Sequence, residues 1–92
     1  MIIAVTRINA PAPALDRMAD AFRHAAGDLL QFPGFIGLEL WRNNDTLEAI
    51  SRWETQAALD AYTASDTFRA HHGGSAQGGG GGVEYYEGEL VI

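Results

Sequence analysis

The side chains in this sequence best suited to chemistry on a small organic molecule gather in its second half. His71 and His72 are neighbours, and a neutral imidazole can ligate iron or move a proton near neutral pH. Phe68 precedes them on what reads as a helical turn. Successive helical residues lie about 100° apart, so adjacent histidines cannot both face one way. The step from Phe68 to His72 keeps one face, which makes His72 the more inward of the two. A helix ending at Ala70 would instead free His71 to turn in. Trp53 closes a strand pattern and Tyr62 sits at an amphipathic helix position.

Each of these residues has a plainer reading beside the chemical one. Trp53 is most simply a core aromatic sealing a sheet against a helix, and Tyr62 a packing residue whose hydroxyl needs a partner if buried. Paired histidines at a helix end often bond the last carbonyls, where the helix dipole favours them. His24, alone on a long helix, reads as a surface residue. Arg7, Arg42 and Arg52 fall on strand patterns and are expected to pair with Glu39, Glu48 or Glu54 at the sheet rim.

Other chemistries lack their motifs. The sequence holds no Gly-x-x-x-x-Gly-Lys, no dinucleotide fingerprint after its first strand, no His-x-x-x-His and no Gly-x-Ser-x-Gly. It has no cysteine, which rules out disulfides and thiolate metal sites and fits a cytoplasmic protein. Oxidative chemistry would therefore come from a bound heme or from a substrate that itself reacts with oxygen.

The elements that must position these residues follow from periodicity. Ile2 to Ile8 is a β-branched apolar run stopped by Ala-Pro-Ala-Pro. Leu15, Met18, Ala19, Phe22, Ala26, Leu29 and Leu30 recur at helical steps until Pro33 and Gly34 end the helix. Phe35 to Arg42 and Leu47 to Trp53 alternate as strands about the polar turn Asn43-Asn44-Asp45. Thr55 is placed to cap a short helix through Tyr62, and Ser65 or Asp66 a second turn ending near the histidines. Residues 73–82 hold five consecutive glycines and read as a flexible loop, and Val83 to Ile92 supplies a last strand with Tyr85 and Tyr86 on opposite faces.

The order β-α-β-β-α-β predicts an α+β, ferredoxin-like fold, an antiparallel four-stranded sheet with helices on one face. With 92 residues, a single domain spanning 1–92 is expected. In strand two, Ile36, Leu38 and Leu40 alternate with Phe35, Gly37, Glu39 and Trp41, so large apolar groups point both ways. The helices cover one face, and the other needs a second sheet. A homodimer closing two sheets into a barrel provides it. The formal charge of −6 excludes nucleic acid as a partner, and the short apolar N-terminus suits neither a signal peptide nor a membrane span.

Two stretches carry a family resemblance: Pro-Gly-Phe-Ile-Gly at 33–37, and ISRWETQAALDAYTASDTFRAHH from Ile50 to His72. The second is similar to a strand ending in Trp-Glu, a short helix and a Ser-Asp-x-Phe turn running to histidine. Together with the strand order, they resemble the antibiotic biosynthesis monooxygenase family of dimeric α+β barrels.

That resemblance implies a pocket between helices and sheet, holding a planar hydrophobic aromatic ligand. Thr6, Phe22, Phe68 and His71 would touch the ligand, and Trp53, Tyr62 and His72 would serve the chemistry. One group of such proteins oxygenates aromatic phenols with neither flavin nor metal. Trp53 matches its tryptophan, whereas Ala49 stands where that group has an asparagine and Leu59 where it has a tyrosine. This cofactor-free monooxygenase is the first expectation. A second group binds and degrades heme, with His72 as the iron ligand, Tyr62 in place of a tryptophan and Thr6 in place of an asparagine. Loss of both asparagines leaves a third reading, a non-enzymatic small-ligand-binding or stress-related dimer.

Overall fold

The computed structural model describes the backbone of residues 1–72 and 82–92, and side chains at 1–69 and 83–92. The elements run β1 (Ile2–Asn9), α1 (Ala12–Leu29), β2 (Phe35–Arg42), β3 (Thr46–Trp53), α2 (Gln56–Thr63), α3 (Asp66–His72) and β4 (Gly82–Glu87). The strands form one antiparallel sheet in the order β2-β3-β1-β4, the ferredoxin-like arrangement. Of the expected glycine-rich loop, Gly82 opens β4 and the rest lies outside the described residues.

Local chemistry sets the boundaries. Pro11 precedes α1 in an extended conformation, and Pro13 falls in the first turn, where a missing N–H costs nothing. The Thr55 side chain accepts from the Ala58 N–H and caps α2. Ser65, rather than Asp66, caps α3: its Oγ accepts from the Phe68 N–H at 3.1 Å and donates to the Tyr62 carbonyl at 2.6 Å. That double use of one hydroxyl ties the start of α3 to the end of α2. Asp66 pairs instead with Arg69.

Gly34 has φ +86, and a Cβ built there would stand 2.6 Å from Ala58 Cβ. Only glycine allows α2 to approach the α1–β2 turn this closely. The Gly34 carbonyl also accepts from the Glu54 N–H at 2.8 Å, which locks the turn to the end of β3.

Alternation along the sheet separates a helix-facing side from an outer side. Ile2, Ala4, Leu47, Ala49 and Trp53 are buried on the helix-facing side, with exposures from 0% to 9%. Two clusters make the core. One gathers Ile2, Ala4, Leu29, Trp53, Leu59 and Tyr62; the other gathers Leu15, Ala19 and Leu47, with Phe22 and Leu40 packed against it.

Three expectations need correction. A register shift between Phe35 and Gly37 makes Ile36 an extra residue, so Phe35 faces the helices with Trp53 rather than lying opposite Leu38 and Leu40. Strand β4 stops at Glu87 instead of reaching Ile92, because Gly88 pairs with Met1 and the sheet offers nothing beyond it. Arg42 does not pair with a strand glutamate: its guanidinium donates to Asp16 at 2.5 Å and to the Ala12 carbonyl at 3.2 Å, both on α1. Arg7 and Arg52 pair with Glu48 and Glu39 as expected.

Candidate functional site

The site builds from Trp53 outward. Period-two alternation in β3 points Trp53 and Ser51 to the same, helix-facing side. Trp53 has no exposed surface, and its indole N–H donates to Ser51 Oγ at 3.0 Å. Around the indole stand Phe35, edge-on at 5.2 Å between ring centres, and Tyr62, stacked at 5.2 Å with 22° between planes. Phe32 and Phe68 meet the Tyr62 ring edge-on at 5.2 Å and 5.3 Å. Five rings from four elements and one turn thus form a continuous aromatic body at one end of the helix-facing side.

The phenol of Tyr62 is buried within this body. Burial, and secondarily the nearby Asp28 carboxylate, pushes its pKa up to about 12. Tyr62 is therefore a neutral phenol near pH 7, able to donate a hydrogen bond but not to act as a base.

Next to the aromatic body lies a barer strip of sheet. The register pairs Thr6 with Ala49 and Val83, and Ala4 with Ser51 and Tyr85. These side chains face the helices, yet Val83 is 44% and Tyr85 54% exposed, whereas Ala4 and Ala49 beneath α1 and α2 are covered. Helix α1 packs on β2 and β3, and α2 on β3; among the described residues no helix packs closely on β4. The strip is small or apolar in its centre, with hydroxyls at Thr6 and Tyr85. At its end, Ile2, Gln56, Tyr85, Tyr86 and Glu87 line an open recess of about 410 Å³.

Of the residues singled out in the sequence, Trp53, Tyr62 and Phe68 come into mutual contact through their rings. Thr6 lies on the open strip, and Phe22 joins the second core cluster beside Leu15 and Leu47, apart from the aromatic body. Helix α3 continues through His71 and His72, whose side chains lie outside the described residues. His24 is exposed and bonds the Asp20 carbonyl at 2.8 Å, as a surface histidine does.

Sequence reasoning missed Ser51, Tyr85 and Asp28. Ser51 was legible in principle, two residues before Trp53 on the same strand face. Asp28 was not, because only the folding of the end of α1, where Leu29 joins the core cluster of Tyr62, brings it near that phenol. No group of three or more potential metal ligands occurs among the described residues.

The family model for antibiotic biosynthesis monooxygenases matches residues 1–74. The chain belongs to this family. Over 94 residues it is 27% identical to the heme oxygenase (mycobilin-producing) of Mycobacterium tuberculosis, covering 99% of this chain and 90% of that one. A cofactor-independent oxygenase from Streptomyces nogalater superposes with TM-score 0.81 at 20% identity, over 99% of this chain and 95% of the other. A heme-degrader from Mycobacterium tuberculosis, solved with two hemes bound in its active site, superposes with TM-score 0.74 at 24% identity, over 100% and 99%. These likenesses confirm the fold for this member of the antibiotic biosynthesis monooxygenase family, and family and named relatives together support a monooxygenase.

Proposed function

We propose that this protein is a monooxygenase whose substrate is a planar, hydrophobic aromatic ring system lying over the helix-facing side of β1 and β4, and that heme is that ring system. The observation that carries the reading is the strip of Thr6, Val83 and Tyr85, open beside a sheet whose other helix-facing side chains are mostly covered. A flat apolar floor of this kind buries one face of a planar ligand and leaves few polar groups to desolvate.

The described residues fit heme in the floor and the wall they supply. Ala4, Thr6, Ile8, Val83 and Tyr85 put no charge on the helix-facing side of β1 and β4, and the carboxylate on that face, Glu87 opposite Ile2, lies exposed at its end, so a large apolar macrocycle centred on Thr6 meets no buried charge. The aromatic body closes one end. His72, four residues after Phe68, is the proposed iron ligand, with His71 as its rival. Bound heme would supply the redox chemistry that activates dioxygen. The chain's own residues would orient the ring and exclude water, and the Thr6 hydroxyl would donate a hydrogen bond above the floor. Support for heme over a metal-free substrate comes from the relatives named for heme, and from Trp53. Its N–H is bonded to Ser51 and its ring has no exposed surface, which leaves the indole as a wall rather than a proton donor to substrate.

The working unit in this reading is a homodimer. On the outer side of the sheet, Trp41 is 61%, Tyr86 49% and the extra residue Ile36 48% exposed, alongside Ile3 and Ile50. The charges there are already paired, Arg52 with Glu39 at 2.8 Å and Arg7 with Glu48 at 2.7 Å. A second copy can therefore cover the face without leaving a buried ion alone.

Heme titration tests the assignment. Micromolar heme should give a sharp Soret shift that disappears in His72→Ala and persists in His71→Ala. The opposite pattern would move the ligand to His71, and no shift in the unsubstituted protein would remove heme. Oxygen uptake by the protein with polycyclic phenols, with and without a chelator, would then test the metal-free alternative.

A further inference from the structure

We infer that Tyr85 holds the carboxylate-bearing edge of the ligand, its phenol donating a hydrogen bond to a carboxylate oxygen at the β4 rim, an inference that rests on the reading that heme lies over β1 and β4. Heme carries its carboxylates on one edge of an otherwise apolar ring system. A carboxylate must keep its contact with water or find a donor, so that edge goes where the floor is open.

The sheet leaves one such direction. On the inner side, β3 lies beneath α1 and α2. Next to Ile2, the rings of Trp53 and Tyr62 fill the helix-facing side, and past Thr6, Ile8 packs against the second core cluster. Strand β4 is the outermost strand on the remaining side, and its edge is the rim over which a charged group reaches solvent.

Three β4 residues face the helices there: Val83, Tyr85 and Glu87, opposite Thr6, Ala4 and Ile2, and all three are exposed. Val83 offers no polar side-chain atom. Glu87 is a like charge, which repels a carboxylate from the recess at that end. Tyr85 stands between them, and its hydroxyl makes no hydrogen bond with another described residue. Strand side chains rise roughly perpendicular to the sheet, and the neighbour of Tyr85 across the ladder is the small Ala4. A flat ring system seated on Ala4 therefore meets the phenol at its rim.

No arginine competes for this role. Arg7 and Arg52 pair with Glu48 and Glu39 on the outer side, Arg42 pairs with Asp16 on α1, and Arg23 and Arg69 pair within their own helices. Arg17 is exposed on α1, which packs on β2 and β3. These six are all the Lys and Arg of the chain. The donor available to the ligand's carboxylate at the β4 rim is the Tyr85 hydroxyl.

The test compares two ligands, heme and its dimethyl ester, whose carboxylates are esterified and carry no charge. Each is titrated by Soret absorbance into the unsubstituted protein and into Tyr85→Phe, which keeps the ring and removes only the hydroxyl. Near-UV circular dichroism of the ring cluster around Trp53 checks that the variant folds as the parent does. The expected result is a heme dissociation constant raised about tenfold in Tyr85→Phe, the loss of one hydrogen bond to a charged group, with that of the ester changed by less than about twofold. A folded variant that binds heme as tightly as the parent would overturn the role of Tyr85 and leave the heme reading standing. So would equal weakening of heme and ester, because the hydroxyl would then act on the seating of the ring and not on its carboxylates. No Soret shift with heme in the unsubstituted protein would remove the heme reading and the role of Tyr85 with it.

Discussion

Tyr62 shows how a residue's chemistry is set by its surroundings. Its folded pKa, about 12, lies above the ordinary tyrosine value of 10.0. The raised value means the folded state holds the proton more tightly, so the associated stability is complete below pH 10 and is lost as pH rises through about 12. Thermal melts of Tyr62→Phe should therefore decline less steeply than the parent across that window; an identical slope would remove the burial argument. Trp53 belongs to the same body. Trp53→Ala should cost about 3–5 kcal/mol in urea unfolding, as deletion of a fully buried large aromatic does. Ser51→Ala should cost less, about 1–3 kcal/mol, by leaving one buried indole N–H without its acceptor.

At the scale of elements, caps and turns hold the aromatic body in place. The Thr55 side chain satisfies an otherwise open N–H of α2, and Thr55→Ala should lower stability by about 1 kcal/mol. Gly34→Ala should do more harm, about 2 kcal/mol or above, since it combines a positive φ with a Cβ 2.6 Å from Ala58. A Gly34→Ala variant as stable as the parent in denaturant titration would show that α2 can move away from the turn. The extra residue Ile36 acts at this scale too: by shifting register it turns Phe35 inward, onto Trp53, and leaves Ile36 exposed at 48%.

For the whole molecule, the proposed covering of the outer face by a second copy would make stability depend on concentration. If folding and pairing are linked, the melting temperature should rise as protein concentration rises. A melting temperature constant over a hundredfold dilution, at concentrations spanning the dissociation constant, would speak against that linkage.

The sequence by itself determined the element order, most strand boundaries, the Thr55 cap and the glycine turn at Gly34, because those follow from local periodicity and backbone chemistry. It also marked Trp53, Tyr62 and Phe68, since aromatic residues at helical and strand spacings are visible without a fold. Only tertiary structure decided that their rings stack together, that Ser51 holds the indole N–H, that Asp28 sits near a buried phenol and that Arg42 reaches across to Asp16. Each is a contact between residues from different elements, or a rotamer choice inside a packed body. The end of β4 was decided in the same way: Val83 to Ile92 reads throughout as a strand, but a strand lasts only as far as a neighbour supplies hydrogen bonds, and within one chain that neighbour runs out at Met1.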